Sequence, residues 1–281
     1  MMLYQYMRIF DSDNGTLSDV SLENQDEGTN LSFDLVAGED YIYIGKYYPF
    51  NNFFLQLGTA NDEAANLSIE YWDGQQWRNA VDILDGTKVS GVPLARSGVV
   101  QFSTNDEYGW YYVGDPSDTS GPTELQYLSV YNLYWLRLSY SQDLNALTKV
   151  KRIAYAFTQS QQLNELDTTI NNFLDTFETG KTDWNDQIMT ASMHVVRDLQ
   201  GRGLVRDHGQ ILLLQDVSLP TDWKTLEMIY YNLGGDYSEK YKNAQKMYKE
   251  TLKLERYSFD MNDDARLDRR ETTGTVRSLT R

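Results

Sequence analysis

Two periodicities divide the chain. Up to residue 156, apolar and polar positions alternate in short runs, the two-residue period of a strand. Tyr41-Ile42-Tyr43-Ile44-Gly45 is aromatic and β-branched, as strands prefer. Leu67-Ser68-Ile69-Glu70-Tyr71-Trp72 alternates, with Leu67, Ile69 and Tyr71 on one face and Trp72 on the other. Asp73-Gly74 then marks a hairpin turn, and Trp77 to Val81 reads as the returning strand. Val99 to Ser103, Trp110 to Val113, Trp135 to Tyr140 and Lys149 to Tyr155 continue the series. About eight short strands with turn residues between them predict an antiparallel, jelly-roll-like β-sandwich. A parallel sheet requires interleaved helices, and this half shows no helical spacing.

From residue 157 the period lengthens. Leu163, Leu166, Ile170, Phe173 and Phe177 fall at helical spacing, and Gly180 supplies a stop. Thr182 or Asp183 can cap a second helix with the stripe Trp184, Ile188, Ala191, Val195 and Leu199, ended by Gly201 and Gly203. Ile211-Leu212-Leu213-Leu214 fits either a strand or a buried turn of helix. Pro220-Thr221 opens a third helix with Trp223, Leu226, Ile229, Tyr230 and Leu233 inward, closed by Gly234-Gly235. Ser238 caps a fourth, with Tyr241, Ala244, Tyr248 and Leu252 inward and Lys240, Lys242, Lys246, Lys249 and Lys253 mainly outward. Four helices with short loops predict a small bundle.

The expected organisation is therefore α+β in two domains. Residues 1–156 form the sandwich, 157–259 the bundle, and 260–281 an extended Asp- and Arg-rich tail. Residues 11–34 and 114–124 read as exposed loops, and no internal repeat is present.

Composition narrows the chemistry. The 281 residues include no cysteine, which excludes disulfides, thiolate metal sites and cysteine nucleophiles, and only two histidines, His194 and His208. Mean hydropathy is −0.57. No stretch reaches the ~18–20 apolar residues of a membrane helix. Met1-Met2-Leu3-Tyr4-Gln5-Tyr6 lacks the basic and apolar regions of a signal peptide, so synthesis and retention in a cytoplasm are expected. The net charge of −16 opposes general affinity for nucleic acid. That charge is uneven: residues 1–156 carry net −12, whereas the stretch from Arg266 holds five arginines against Asp268 and Glu271. A basic tip on an acidic chain suits docking on an acidic partner, or simple solvation.

The sharpest local pattern is Asp260-Met261-Asn262-Asp263-Asp264-Ala265-Arg266-Leu267-Asp268-Arg269-Arg270-Glu271. Asp260, Asn262, Asp264, Asp268 and Glu271 occupy positions 1, 3, 5, 9 and 12 of an EF-hand calcium loop. Against calcium stand Ala265 where the loop needs glycine, three arginines within it, and no exit helix. A polar turn with its carboxylates on local N–H groups is the competing and favoured reading. Tyr47, Tyr48, Trp72, Trp77, Trp110, Tyr111 and Tyr112 are either sandwich core or a sugar-stacking platform, with Trp72 the best placed for glycan contact. Carboxylate pairs such as Asp82 with Asp85 or Glu70 with Asp73 could in principle serve a glycosidase, but chance supplies such pairs among 41 acidic residues and nothing distinguishes one. His194 with Asp198 at i+4 suggests a surface hydrogen bond, and His208 falls in a loop. With no phosphate-binding glycine loop and no nucleophile elbow, the expectation is no enzyme and no cofactor, calcium being the one candidate ion.

The order of these features carries a resemblance. Trp184 and Ile188 begin a helix ending in Leu199, then come Pro220-Thr221-Asp222-Trp223, Leu226 to Leu233, Tyr241, Ala244 and Tyr248, and finally the Asp/Asn turn and arginine tail. Over residues 160–281 this resembles the head-to-tail connector (adaptor) proteins of tailed bacteriophages. Tyr43-Ile44-Gly45, Pro49-Phe50, Ile69 to Trp77, Asp85-Gly86-Thr87 and Tyr134 to Arg137 look like the β-sandwich modules of phage tail and baseplate proteins. The resemblance implies a virion structural protein of the neck, made in the host cytoplasm. It implies a ring of roughly twelve copies that joins the portal to the next neck or tail protein, with DNA passing the lumen unbound and no membrane involved. It implies that Arg266, Arg269, Arg270, Val276, Arg277, Leu279 and Arg281 dock on the portal protein. The alternative it leaves is a tail, baseplate or carbohydrate-binding module with its ligand site on the sandwich.

Overall fold

The computed structural model describes residues 7–26, 31, 33, 35–105, 107–113, 121–126, 133–254, 257–262, 264 and 265. They form two compact units. One comprises the chain up to Ala154, rejoined by Asn262, Asp264 and Ala265; the other comprises Tyr155–Met261. The chain is α+β, with antiparallel sheets in the first unit and helices dominating the second.

Among the described residues the first unit has eleven strands: β1 (Arg8–Asp13), β2 (Thr16–Asp19), β3 (Tyr41–Lys46), β4 (Asn52–Thr59), β5 (Leu67–Trp72), β6 (Trp77–Asn79), β7 (Val81–Asp85), β8 (Gly98–Ser103), β9 (Tyr112–Val113), β10 (Leu133–Tyr140) and β11 (Lys149–Ala154). The larger sheet runs β2-β1-β3-β10-β5-β6, with β9 also on β10; the smaller runs β11-β4-β8-β7. Ile9, Ile42, Ile44, Ile69, Leu136 and Leu138 of the larger sheet meet Phe53, Leu55, Val100, Phe102, Val150 and Ile153 of the smaller in one apolar core. Ala265 is buried in that core at φ +59.

The expected hairpin turn at Asp73-Gly74 is present. Gly74 adopts φ +95, and Asp73 Oδ1 accepts the N–H groups of Gln75 and Gln76, each at 2.8 Å. Three strands lack the alternation that signals the others. β4 is buried on both faces over Asn52 to Gln56, so it reads as a continuous run. β1 ends and β2 lies where a loop was expected between residues 11 and 34; Asp13, Thr16, Ser18 and Asp19 face solvent, while Ser12 is buried. The edge of β11 is covered locally. Asn24 Nδ2 donates to Ile153 O at 2.8 Å while Ile153 N donates to Asn24 Oδ1 at 2.6 Å, so a side-chain amide replaces a neighbouring strand.

The larger sheet also buries its outer face. Phe10, Tyr43, Trp72, Val113, Leu133 and Trp135 pack there with Leu125 of the short helix α1 (Thr123–Gln126). Gly45 permits this layer. A Cβ at that position would lie 2.7 Å from the Trp135 indole, which is fully buried.

The second unit holds α2 (Ser160–Leu166), α3 (Leu174–Phe177), α4 (Asn185–Gly201), α5 (Gln215–Leu233) and α6 (Ser238–Leu254). The expected stripe Trp184, Ile188, Ala191, Val195 and Leu199 is entirely buried. α5 packs against both α4 and α6, so its burial wraps around the helix. The buried hydroxyls of Thr221 and Thr225 donate to the carbonyls of Val217 and Thr221 at 2.7 and 2.8 Å.

Two helical expectations are corrected. The stripe from Leu163 to Phe177 is not one helix: it breaks at Asp167 into α2, a 3-10 turn over Ile170–Phe173, and α3. The Asp167 carboxylate takes bonds from Thr169 N at 2.9 Å, Thr169 Oγ1 at 2.6 Å, Tyr230 OH at 2.5 Å and Lys240 Nζ at 2.6 Å. Partial burial opposes its ionisation, but Lys240, Thr169 and Tyr230 together hold the carboxyl far below its ordinary range. Pro220 does not open the third helix; it lies inside α5. A tight first turn precedes it, in which Asp216 N and Val217 N donate to the carbonyls three residues back.

Gly45→Ala is expected to destabilise the β unit by about 1–3 kcal/mol, because the indole fills the space a methyl group needs. A lowered urea midpoint followed by tryptophan fluorescence checks this; an unchanged midpoint shows that Trp135 can shift freely.

Candidate functional site

A built anchor at residues 257–260 holds the chain on the helical unit ahead of the segment expected to dock on a partner. After α6 the chain turns back, and Tyr257 stacks on Phe259 with ring centroids 5.3 Å apart and 10° between planes. Tyr257 OH donates to Leu252 O at 2.8 Å, fixing that turn to the end of α6. Residues 258–260 then run antiparallel to 210–212. Leu212 N donates to Ser258 O at 3.0 Å, Asp260 N donates to Gln210 O at 2.8 Å, and Ile211 faces Phe259 in a β-bridge. The apolar run Ile211 to Leu214 is thus divided, one residue in a bridge and the rest leading into α5.

Side chains lock both ends of this ladder. Gln210 Nε2 donates to Asp260 O at 2.9 Å, while its Oε1 accepts Arg206 N at 2.6 Å. Asp216, in the first turn of α5, accepts Ser258 N at 2.7 Å. Burial raises the Asp216 carboxyl above its ordinary value, against the pull of the Ser258 donors. His208 closes the same region. It is buried, stacks on Tyr155 at 3.9 Å and 17°, and its Nδ1 lies 3.4 Å from Asp207 Oδ1. The expected loop there is a 3-10 turn over His208–Gln210, capped by Asp207.

The calcium-loop candidates divide at this anchor. Asp260 is 1% exposed, its backbone held by Gln210 as described. Asn262 Nδ2 donates to Asp264 Oδ2 at 3.1 Å, the local pairing of a polar turn. Ala265 does take the left-handed conformation that a calcium loop gives to glycine. Asp268 and Glu271 lie outside the described residues, as do Arg266, Arg269, Arg270, Val276, Arg277, Leu279 and Arg281. Among the described residues no group of three or more His, Asp or Glu side chains is placed to hold a metal ion.

Trp72 is not an exposed platform. It is 8% exposed, sits in the outer-face aromatic layer, and meets Trp77 edge-on at 5.3 Å. Its register does put it opposite Tyr71, but that face is covered. Trp110 is buried in the sandwich core, its Nε1 donating to Trp135 O at 2.9 Å. Exposed aromatic area lies instead on Tyr47 (50%), Tyr112 (38%) and Tyr111 (37%), with Tyr112 packed 5.1 Å from Tyr134.

Arg137, which no motif or spacing singles out, organises the polar part of the outer face. Phe10, Tyr43, Arg137 and Glu70 are register partners in turn across β1, β3, β10 and β5. Arg137 Nε donates to Glu70 Oε2 at 2.7 Å, and the guanidinium lies 4.4 Å from the Tyr41 ring and 4.8 Å from Trp77. Glu124 of α1 accepts Trp77 Nε1 at 2.8 Å and Tyr43 OH at 3.3 Å. Burial and the Glu124 charge raise the Tyr43 phenol far above its ordinary range. Alternation placed Arg137 on this face, but only the register brings Glu70 beside it.

The carboxylate pairs weighed for acid–base chemistry do other work. Asp73 accepts Arg78 Nε at 2.5 Å in addition to its turn bonds, and Asp85 accepts Thr87 N at 2.9 Å. Asp198 accepts Tyr248 OH at 2.5 Å, so the expected bond with His194 gives way to an interhelical one. Burial first, then the Lys224 and Arg197 charges, lower the His194 pKa.

Compared with protein-family models, curated proteins and solved structures, the chain matches none. No helix among the described residues is long and apolar enough to cross a membrane.

Gln210→Ala removes two of the bonds that hold the anchor. It is expected to destabilise the helical unit by about 1–3 kcal/mol and to speed hydrogen exchange at the Asp260 and Leu212 amides. Exchange followed by NMR tests this, and unchanged protection at both amides contradicts the clamp.

Proposed function

We propose that this chain is a non-catalytic structural protein of a phage neck. In this reading it forms a ring that joins the portal to the tail, and residues 266–281 dock on the portal protein. The observation that carries the reading is the anchor at residues 257–260. It fixes residues 257–260 on the helical unit ahead of the basic segment, and the five arginines follow within 21 residues of Asp260. A segment that follows a fixed stretch of chain loses less freedom on docking than one that follows a frayed helix. Arginine forks suit carboxylates on an acidic partner, where two parallel N–H donors meet two oxygens.

The helical unit is the part that accords with the adaptor resemblance; the sandwich is an addition that the minimal adaptor lacks. A four-helix adaptor arrangement counts the broken α2–α3 stretch as one arm beside α4, α5 and α6. A jelly-roll-like arrangement of the two sheets belongs to the same reading. The acidic balance of the chain suits a lumen through which DNA slides by like-charge repulsion.

The exposed Tyr47, Tyr111 and Tyr112 favour a second reading, in which the β unit binds a saccharide by ring stacking. Selective glycan-array binding lost in Tyr112→Ala supports it over the first.

Deleting residues 266–281 is expected to abolish cosedimentation with portal rings while leaving the circular dichroism spectrum and thermal midpoint unchanged. Full portal binding by the truncated protein overturns tail docking. Replacing the five arginines by glutamate should reduce binding as far as the deletion does, separating charge from length.

A further inference from the structure

Thr158 has one hydroxyl proton and two short oxygen contacts. Its Oγ1 lies 2.5 Å from Gln162 Oε1 and 2.5 Å from Asp222 Oδ1. Gln162 Oε1 also accepts the backbone N–H of Gln159 at 3.1 Å, which identifies that atom as the amide oxygen. An amide oxygen only accepts, so the Thr158 proton goes to Gln162. The contact with Asp222 then needs a second proton, and an ionised carboxylate has none to give. We infer that Asp222 is a neutral carboxylic acid in the folded protein, heading a relay from Asp222 through Thr158 and Gln162 to the Gln159 amide, and that its ionisation unlatches the first turn of α2.

The surroundings agree with this assignment. Asp222 lies on the doubly packed α5 and is 5% exposed. Burial, assisted by the Glu165 charge on α2, pushes its carboxyl up to about 7. Several of the other charged groups on elements packed against α5 have partners away from Asp222. His194, Arg197 and Asp198 of α4 act with Lys224 and Glu227 of α5 on one another. Lys240 of α6 is bonded to Asp167, and Tyr248 of α6 to Asp198. Asp175 of α3 accepts Gly180 N.

The relay closes one of the open backbone donors at the start of α2, since the Gln162 side chain reaching back to Gln159 N is half of a capping box. When Asp222 loses its proton to solvent, one hydroxyl proton faces two acceptors, and one short contact becomes a repulsion between oxygens. Gln162 or Thr158 then moves, and the Gln159 amide loses its partner.

The raised carboxyl sets the direction of the pH effect. Between the unfolded value, about 3.9, and the folded one, the native state holds a proton that the unfolded state has released. Stability therefore falls as pH rises through that interval, and the unfolding constant grows about tenfold per pH unit before levelling above the folded value. Asp222→Asn supplies an N–H donor at every pH and lacks this dependence. Denaturant unfolding of both proteins across this range should show their unfolding constants diverging by about tenfold per unit. Parallel profiles overturn the inference. Carboxyl-carbon NMR of the unaltered protein needs no variant: one aspartate should titrate near neutrality, with the Gln159 amide resonance shifting at the same midpoint. Complete ionisation of every aspartate by about pH 6, or a Gln159 amide that does not titrate, overturns it as well.

Discussion

Both units depend on an element buried on two sides. In the β unit it is β10, which pairs with β3, β5 and β9. Leu136, Leu138 and Tyr140 enter the sandwich core, while Leu133, Trp135 and Arg137 enter the outer aromatic layer. In the helical unit it is α5, held between α4 and α6. Polar groups on the covered faces of such an element have no water to turn to, so they must be satisfied in place. Arg137 finds Glu70 and two ring faces; Thr221 and Thr225 use their own helix; Asp222 uses Thr158.

That constraint orders the remaining chemistry. Trp135 can lie flat on the outer face only because Gly45 leaves room beneath it. Trp72 joins it under cover, which turns a ligand-binding candidate into packing. Carboxylates that looked interchangeable by sequence separate into distinct roles: Asp73 and Asp85 hold turns, Asp198 and Asp167 tie helices, and Asp222 carries a proton. Asp167 and Asp222 sit in one unit with opposite displacements. Asp167 is surrounded by donors including a lysine, whereas Asp222 is buried with one hydroxyl and a neighbouring glutamate. Their contributions to stability therefore run in opposite directions with pH.

The proposed role in a neck draws on the same economy of polar groups. The anchor uses backbone pairing and one glutamine to hold the chain ahead of its basic segment. The anchor was invisible as a motif. Its members, Gln210, Asp216 and Ser258 to Asp260, are scattered over 50 residues, and no spacing rule links them.

The sequence by itself determined the local periodicity and the elements which that periodicity sets. The strand Leu67 to Trp72, the start of α6 at Ser238, the buried stripe of α4 and the turn at Asp73-Gly74 were legible because each is set by neighbours within a few residues. The tertiary structure decided the rest. β4 is buried on both faces and so lacks alternation; Asp167 breaks a continuous apolar stripe because Tyr230 and Lys240 reach it from other helices. Whether Trp72 was platform or core, and whether Asp222 was charged or neutral, depended on partners brought from distant parts of the chain, whose approach no local pattern encodes.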